Sequence, residues 1–364
     1  MSAATTASDV DVVLARADEL RERVTASVAA VDGGERSTAE ILRELGSQGL
    51  LDLGVDSIQN PLAVAADVQG SAALIALLAE ECMSSAFSLW AHRMVVDYFA
   101  RGQRTGLNTD VLGGLRSGEL IGSTAMASGM KALAGIEPLG ITGRIEGDEI
   151  VLEGQIRWAS NLIDGAVVVI PAELDDDRRI ITWFRVGDPG VVVRHVDGLL
   201  ALNATASASV VLESVRVPLD AVLSWEFAET ARAFRPTFLA LQSSFCVGIA
   251  RRSLQEATRL VERPGNEGLI ERYETVRKAV AEIEQRWHRL TDDLGSAPLI
   301  EFVRLRLDAS VLAGEATRLE AALAGGRGYV SSSGTARRFR EAAFLPVQSP
   351  SEGQLRWELT SLAS

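Results

Sequence analysis

A block of strict alternation in the middle of the chain constrains its fold more than any other feature. Ile150, Leu152, Gly154, Ile156 and Trp158 fall on one face, and Val151, Glu153, Gln155 and Arg157 on the other. That period of two predicts a β-strand, and Gly147-Asp148 marks the turn before it. The aliphatic run 166–170 follows, and further strands are expected at 179–186, 190–195 and 207–217, the last stopped by Pro218. Trp158 and Ser160, two residues apart on a strand, point to the same face. Together they offer a flat aromatic wall and a hydroxyl donor to one planar ligand.

Either side of this block the apolar spacing is helical. Residues 9–116 read as helices. Ser37 and Glu40 form an expected capping box ahead of Ile41-Leu42, glycines 49 and 54 bracket the end of that helix, and one or two buried helices are expected over 65–100. Beyond Trp225, helices are expected at 238–262, 269–290 and 299–324, with a shorter one at 354–362. Gly325-Gly326-Arg327-Gly328 terminates the third. The expected fold class is α+β: an N-terminal helical domain (1–117), a central antiparallel β-barrel-like domain (118–224) and a C-terminal four-helix bundle (225–364).

The chain has 364 residues, 47% of them hydrophobic and 5% aromatic, enough for a sizeable aliphatic core. Its net charge is −13, and no basic stripe is present, so no nucleic-acid partner is expected. Cys82 and Cys246 have no neighbours at metal-ligand spacing, and Asp175-Asp176-Asp177 lacks the pattern of a calcium loop, so no metal is expected. Met1-Ser2-Ala3-Ala4-Thr5-Thr6 lacks the basic start of a secretory leader, and no segment is long enough to span a bilayer. A cytoplasmic protein with no membrane association is expected. His92, in an apolar helix, reads as a satisfied core residue, and His195 and His288 as structural or exposed.

Five local motifs, in order, make the chain resemble the acyl-CoA dehydrogenase family over nearly its whole length. They are Gly118-Glu119-Leu120-Ile121-Gly122, the hairpin from Gly147 through Trp158-Ala159-Ser160-Asn161, and Glu213-Ser214-Val215-Arg216-Val217-Pro218. Val247-Gly248-Ile249-Ala250 with Glu256-Ala257 follows, then Gly325-Gly326-Arg327-Gly328-Tyr329 with Arg340-Glu341-Ala342. The resemblance implies FAD as cofactor (FMN or reduced flavin as variants), lying between the β-domain and the bundle. It puts Trp158 against the isoalloxazine and Ser160 towards N5, where a donor stabilises the charge arriving with a hydride. The family's Thr-Glu-Pro is replaced by Ala125-Met126-Ala127-Ser128, and either Ala127 or Ser128 takes the threonine position. The backbone amides of Met126 and Ser128 remain to hold the pyrimidine edge. Arg263 stands near the family's cofactor-gripping arginine, and Gly325 and Gly326 in its glycine turn. Asn203 replaces an arginine common in the family.

Two alignments place the base. Ser351-Glu352-Gly353 resembles the family's Glu-Gly-Thr segment and makes Glu352 the carboxylate that takes the substrate α-proton. Counting without gaps from Arg340 puts Ser349 there instead, with Gln348 beside it. The implied activity is flavin-dependent α,β-dehydrogenation of an acyl thioester, on CoA or a carrier protein. Two alternatives are a two-component monooxygenase of the same fold using reduced flavin, and a non-catalytic relative acting as an assembly subunit. The implied partners are the small-molecule substrate and an electron-transfer protein or flavin reductase, within a homodimer or homotetramer.

Overall fold

A computed structural model describes residues 8–58, 60–62 and 67–363. The N-terminal hexapeptide read for a leader, and Ala65-Ala66 at the start of the expected buried helices, lie outside the described residues. Six helices come first: α1 (Asp9–Ala15), α2 (Ala17–Asp32), α3 (Thr38–Gly46), α4 (Gln69–Glu81), α5 (Met83–Arg101) and α6 (Gly106–Ser117). Ser37 caps α3 by accepting the Ala39 amide, but Glu40 pairs with Arg36 instead of completing a capping box. The helix stops at Gly46, where it meets the end of α6: a side chain there would lie 2.4 Å from the Ser117 carbonyl oxygen. The end is therefore set by this contact, ahead of Gly49.

α5 is buried on every side, so it runs through the core rather than over it. Its charges are compensated internally: Asp97 lies 2.6 Å from Arg101 and 3.6 Å from Arg93. His92 is fully buried between α6 and the sheet. Its Nδ1 accepts the Gly122 amide, its Nε2 donates to the Leu115 carbonyl, and burial pushes its pKa down to about 4. The ring is a neutral structural bridge.

The middle of the chain holds β1 (Gly122–Thr124), α7 (Ala127–Leu133), β2 (Ile141–Glu146), β3 (Glu149–Ala159), β4 (Val167–Leu174), β5 (Arg179–Arg185), β6 (Val191–His195) and β7 (Ala208–Pro218). They form one curled sheet in the order β1-β4-β2-β3-β7-β6, with β5 on β4. β1 and β2 both run parallel to β4, and the remaining pairs are antiparallel. The sheet is mixed where an antiparallel one was expected, because alternation reports which face is buried and says nothing about strand direction. The first strand starts at Gly122 rather than at Gly118, whose left-handed backbone caps α6. The Asp175-Asp176-Asp177 run turns between β4 and β5, with Asp176 paired to Arg178.

The C-terminal part is α8 (Phe227–Leu260), α9 (Ile270–Asp292), α10 (Leu299–Ala324), α11 (Gly334–Ala342) and α12 (Glu352–Ala363). α8 starts at Phe227 rather than at 238 and carries Pro236 inside it. α4 packs along α8 so closely that a side chain at Gly248 would stand 2.2 Å from the Ala76 carbonyl oxygen. α12 lies on α10 and closes the bundle.

Candidate functional site

The end of β3 departs from the regular strand its sequence predicts. Between Ile156 and Ala159 the register against β7 shifts by one residue, a β-bulge. Ile156 stays buried at 7% exposure, while Trp158 is turned out to 54%. The alternation grouped Trp158 with the buried face, and the bulge is what releases it. Just beyond, Ser160 Oγ and Ser207 Oγ stand 2.6 Å apart, and Ser207 Oγ is 2.8 Å from Thr205 Oγ1. An exposed indole thus sits two residues from a chain of three hydroxyls.

Asn161 fixes that geometry. Its backbone is left-handed (φ 63°), which asparagine tolerates better than most residues. Its Nδ2 donates to the carbonyls of Ser88 on α5 (2.9 Å) and Gly122 on β1 (3.0 Å), and its own amide donates to Thr205 (2.7 Å). Ser123 Oγ donates to the Ser160 carbonyl at 2.6 Å. The β3 terminus is therefore tied to β1, to α5 and to the approach to β7.

Three residues past Ser123, Met126 is buried as the N-cap of α7, with Ser128 half-buried in the first turn. No side chain caps this end, so its first amides lack a side-chain acceptor. α12 reaches the other end of α7: Gln354 Nε2 donates to the Met130 carbonyl (3.4 Å) and to Glu358 Oε1 (2.8 Å). Glu352 opens α12 with its side chain 37% exposed and 2.7 Å from Arg356. That is a solvated ion pair at a helix N-terminus, not the desolvated setting a carbon-acid base requires. Gln348, four residues earlier, is buried.

Arg263, Gly325 and Gly326 lie elsewhere. All three are exposed, Arg263 just past α8 and the glycines at the end of α10. Asn266 draws these two ends together, donating to the carbonyls of Leu260 (2.8 Å) and Leu323 (3.2 Å). α7 packs on the first turn of α8, where Gly129 meets Phe227, while α5, to which Asn161 is tied, packs Phe87 on Phe245 midway along it. With 34 residues, α8 is about 50 Å long at 1.5 Å per residue. Within one chain, then, Trp158, Ser160, Met126 and Ser128 form one group, and Arg263, Gly325 and Gly326 another. Asn203 bonds the nearby Leu199 carbonyl at 2.9 Å.

The interior contains polar residues that pattern reading passed over. Arg235 Nη2 holds both oxygens of Glu358 at 2.7 and 2.8 Å. Seven residues on, and so on the same face of α8, Gln242 joins Arg306 and the Ser349 carbonyl. An arginine and a glutamine at heptad spacing within the largely apolar stretch 233–250 were the available signal. Glu341 is buried and accepts the Met83 amide at 3.1 Å, with Arg337 3.8 Å away; burial pushes its pKa up to about 7. Burial pushes the neighbouring Cys82 thiol up to about 11, the Glu341 charge adding to the effect.

A flavin would suit the first group on two counts: a solvent-facing indole raised by a bulge, and first-turn amides of α7 that no side chain caps. Trp158 would cover the ring, Ser160 would meet its edge, and the α7 amides would hold its carbonyls. Among the described residues no cluster of three metal-ligating side chains occurs, and no helix is long and apolar enough to cross a membrane.

No family model matches the chain. The human mitochondrial short-chain specific acyl-CoA dehydrogenase is 24% identical over 226 residues, 57% of this chain and 54% of the relative. The chain thus aligns with about half the length of the curated relatives it matches. Among solved structures, butyryl-CoA dehydrogenase from Megasphaera elsdenii superposes with a TM-score of 0.84 at 16% identity, covering 100% of both chains. The prolyl acyl carrier protein oxidase AnaB gives 0.79 at 15% identity, over 96% of this chain and 99% of that one. From its first described helix to its last, the chain has the fold of the acyl-CoA dehydrogenases.

Proposed function

We propose that the protein is a flavin-dependent oxidoreductase that dehydrogenates an acyl thioester carried on CoA or on a carrier protein. The observation that carries this reading is the bulged-out Trp158 beside the Ser160–Ser207–Thr205 hydroxyl chain, rigidly tied by Asn161. Similarity to dehydrogenases of CoA thioesters and to a carrier-protein oxidase supports the substrate class. The bound flavin would supply the hydride acceptor. Trp158 shields one face of it from water, Ser160 places a hydroxyl at its edge, and Met126 and Ser128 offer amides to the pyrimidine. Glu352 serves as base in this reading only after leaving Arg356. The reduced cofactor would pass its electrons to a protein partner. The test is the absorption spectrum of the purified protein before and after anaerobic addition of acyl-CoA and acyl-carrier-protein thioesters. Bleaching supports the proposal; an unchanged flavin spectrum across the panel removes it.

A specific observation favours a second reading, the two-component monooxygenase. On α12, Glu352 is solvated and paired, and Glu358 is locked by Arg235 and Gln354. Reduced-flavin oxygenation needs no α-proton abstraction. It predicts oxygen uptake only when reduced flavin is supplied, and no bleaching by thioesters.

A further inference from the structure

Six arginines are buried among the described residues. Arg93 and Arg101 share Asp97, Arg235 holds Glu358, Arg337 faces Glu341, and Arg338 meets Glu320. Arg306, on α10, is 0% exposed and has no carboxylate. Its Nε donates to Gln242 Oε1 (3.3 Å), and its Nη2 to Gln348 Oε1 (2.7 Å) and the Leu345 carbonyl (3.2 Å). Nη1 has no partner. The Phe245 ring, 5.7 Å away, and amide oxygens soften the charge without neutralising it. The adjacent Cys246 thiol is pushed up by burial and stays neutral. A buried cation normally carries a counter-charge, because desolvation penalises it heavily.

A second unpartnered group belongs to the same network. Ser349 Oγ is buried without a hydrogen-bond partner. The Ser349 carbonyl accepts from Gln242 Nε2 (2.9 Å) and Gln348 Nε2 (2.7 Å), the two amides whose oxygens meet Arg306. One guanidinium nitrogen and one hydroxyl are thus left over where α8, α10 and the segment entering α12 converge.

We infer that Arg306, with Ser349, forms an anion subsite at this seam, and that its occupant is a carboxylate, with one oxygen for the unpartnered Arg306 Nη1 and one for the Ser349 hydroxyl. The carboxylate arrives either on the acyl group of the thioester, which rests on the function proposed above, or as a small free anion.

The test uses the full chain. Tm is followed during titration with sodium acetate and sodium succinate, with sodium chloride at matched ionic strength as control. A saturable rise with the carboxylates alone is expected. Gln348→Glu supplies the missing counter-charge from within, at the loss of the bond to the Ser349 carbonyl, and should abolish the response; Arg306→Gln should abolish it too. If Arg306→Gln does not fold, Gln348→Glu carries the test alone. A response that persists in Gln348→Glu, or no response in the wild type, overturns the subsite. Anaerobic flavin bleaching then identifies the source. A preference of about tenfold or more in kcat/KM for a carboxyacyl-CoA over the unsubstituted acyl-CoA of equal length, lost in Gln348→Glu, assigns the carboxylate to the substrate. Equal rates with an intact Tm response assign it to a free anion. No bleaching by either thioester, with an intact Tm response, removes the proposed dehydrogenase and leaves the subsite standing.

Discussion

Trp158 and Glu341 make opposite demands on the protein, one at the surface and one in the interior. The indole is 54% exposed and buries little against the core. Trp158→Ala should therefore shift stability by only about 0.5 kcal/mol. Losing the ring contact should weaken flavin binding by about 1 kcal/mol or more, several-fold in Kd, read by flavin fluorescence titration. A Trp158→Ala protein that binds flavin as tightly as the wild type would remove the stacking role. Glu341 is sensitive to pH. Its folded pKa of about 7 lies above the ordinary carboxylate value of 4.5. The folded state therefore favours the protonated acid, and stability from this group is fully present below 4.5 and lost as pH rises through 7. The shift corresponds to about 3 kcal/mol. In Glu341→Gln the Met83 amide keeps an acceptor and this pH dependence disappears. Urea unfolding at about pH 5 and about pH 8 should show the variant gaining on the wild type by that order as pH rises. A constant difference would mean that Glu341 titrates normally.

The elements show which features of the sequence could be read and which could not. β5, β6 and β7 and the helix α10 fall within a residue of where their apolar residues place them: β7 alternates along its length, while β5 is a continuous buried run with arginine at each end. The capping box at Ser37 failed in its second half because Arg36, a residue outside the motif, captured Glu40. The start of α8 and the whole of α11 were missed. The start of α8 is followed by Pro236, which reads as a helix boundary, and α11 is nine residues whose buried positions include Arg337, Arg338 and Glu341, so a reading keyed on apolar residues passes over it. The bulge at the end of β3 follows from pairing with β7, a long-range property no local window contains. The same holds for Arg306, whose missing counter-charge is visible only once α8, α10 and the segment entering α12 are assembled. The elements also carry their own test. Asn161 joins three of them through two carbonyls that have no other side-chain donor shown to them. Asn161→Ala would strip the Gly122 carbonyl of its side-chain donor, remove a second bond from the Ser88 carbonyl that α5 already engages, and lose the favoured left-handed residue. It should cost roughly 2–4 kcal/mol by urea unfolding. A loss under about 0.5 kcal/mol would show that the clasp is not structural.

At the scale of the molecule, the two groups of expected flavin contacts lie apart along α8: α7 meets its first turn, Asn161 is tied to α5 at the level of Phe245, and Arg263 follows its last turn. Within one chain the two groups are not brought together. If Arg263, Gly325 and Gly326 serve the flavin at all, they serve that of a second copy, and cofactor binding and self-association become linked. Each copy carries a net charge of −13, so association works against long-range repulsion that salt relieves. Raising the salt from about 20 mM to about 200 mM should therefore favour the oligomer in sedimentation experiments and tighten flavin binding in parallel. Arg263→Ala should weaken flavin binding in the oligomer by about 1 kcal/mol or more while leaving the circular dichroism of the chain unchanged, since the side chain is exposed. Mixing Arg263→Ala with Trp158→Ala protein supplies the decisive measurement. Each mixed dimer then regains one site in which both groups are intact, so flavin binding should rise above that of either variant alone. Binding no better than the two parents would show that each flavin depends on one chain, and that the distant arginine and glycines have no part in holding it.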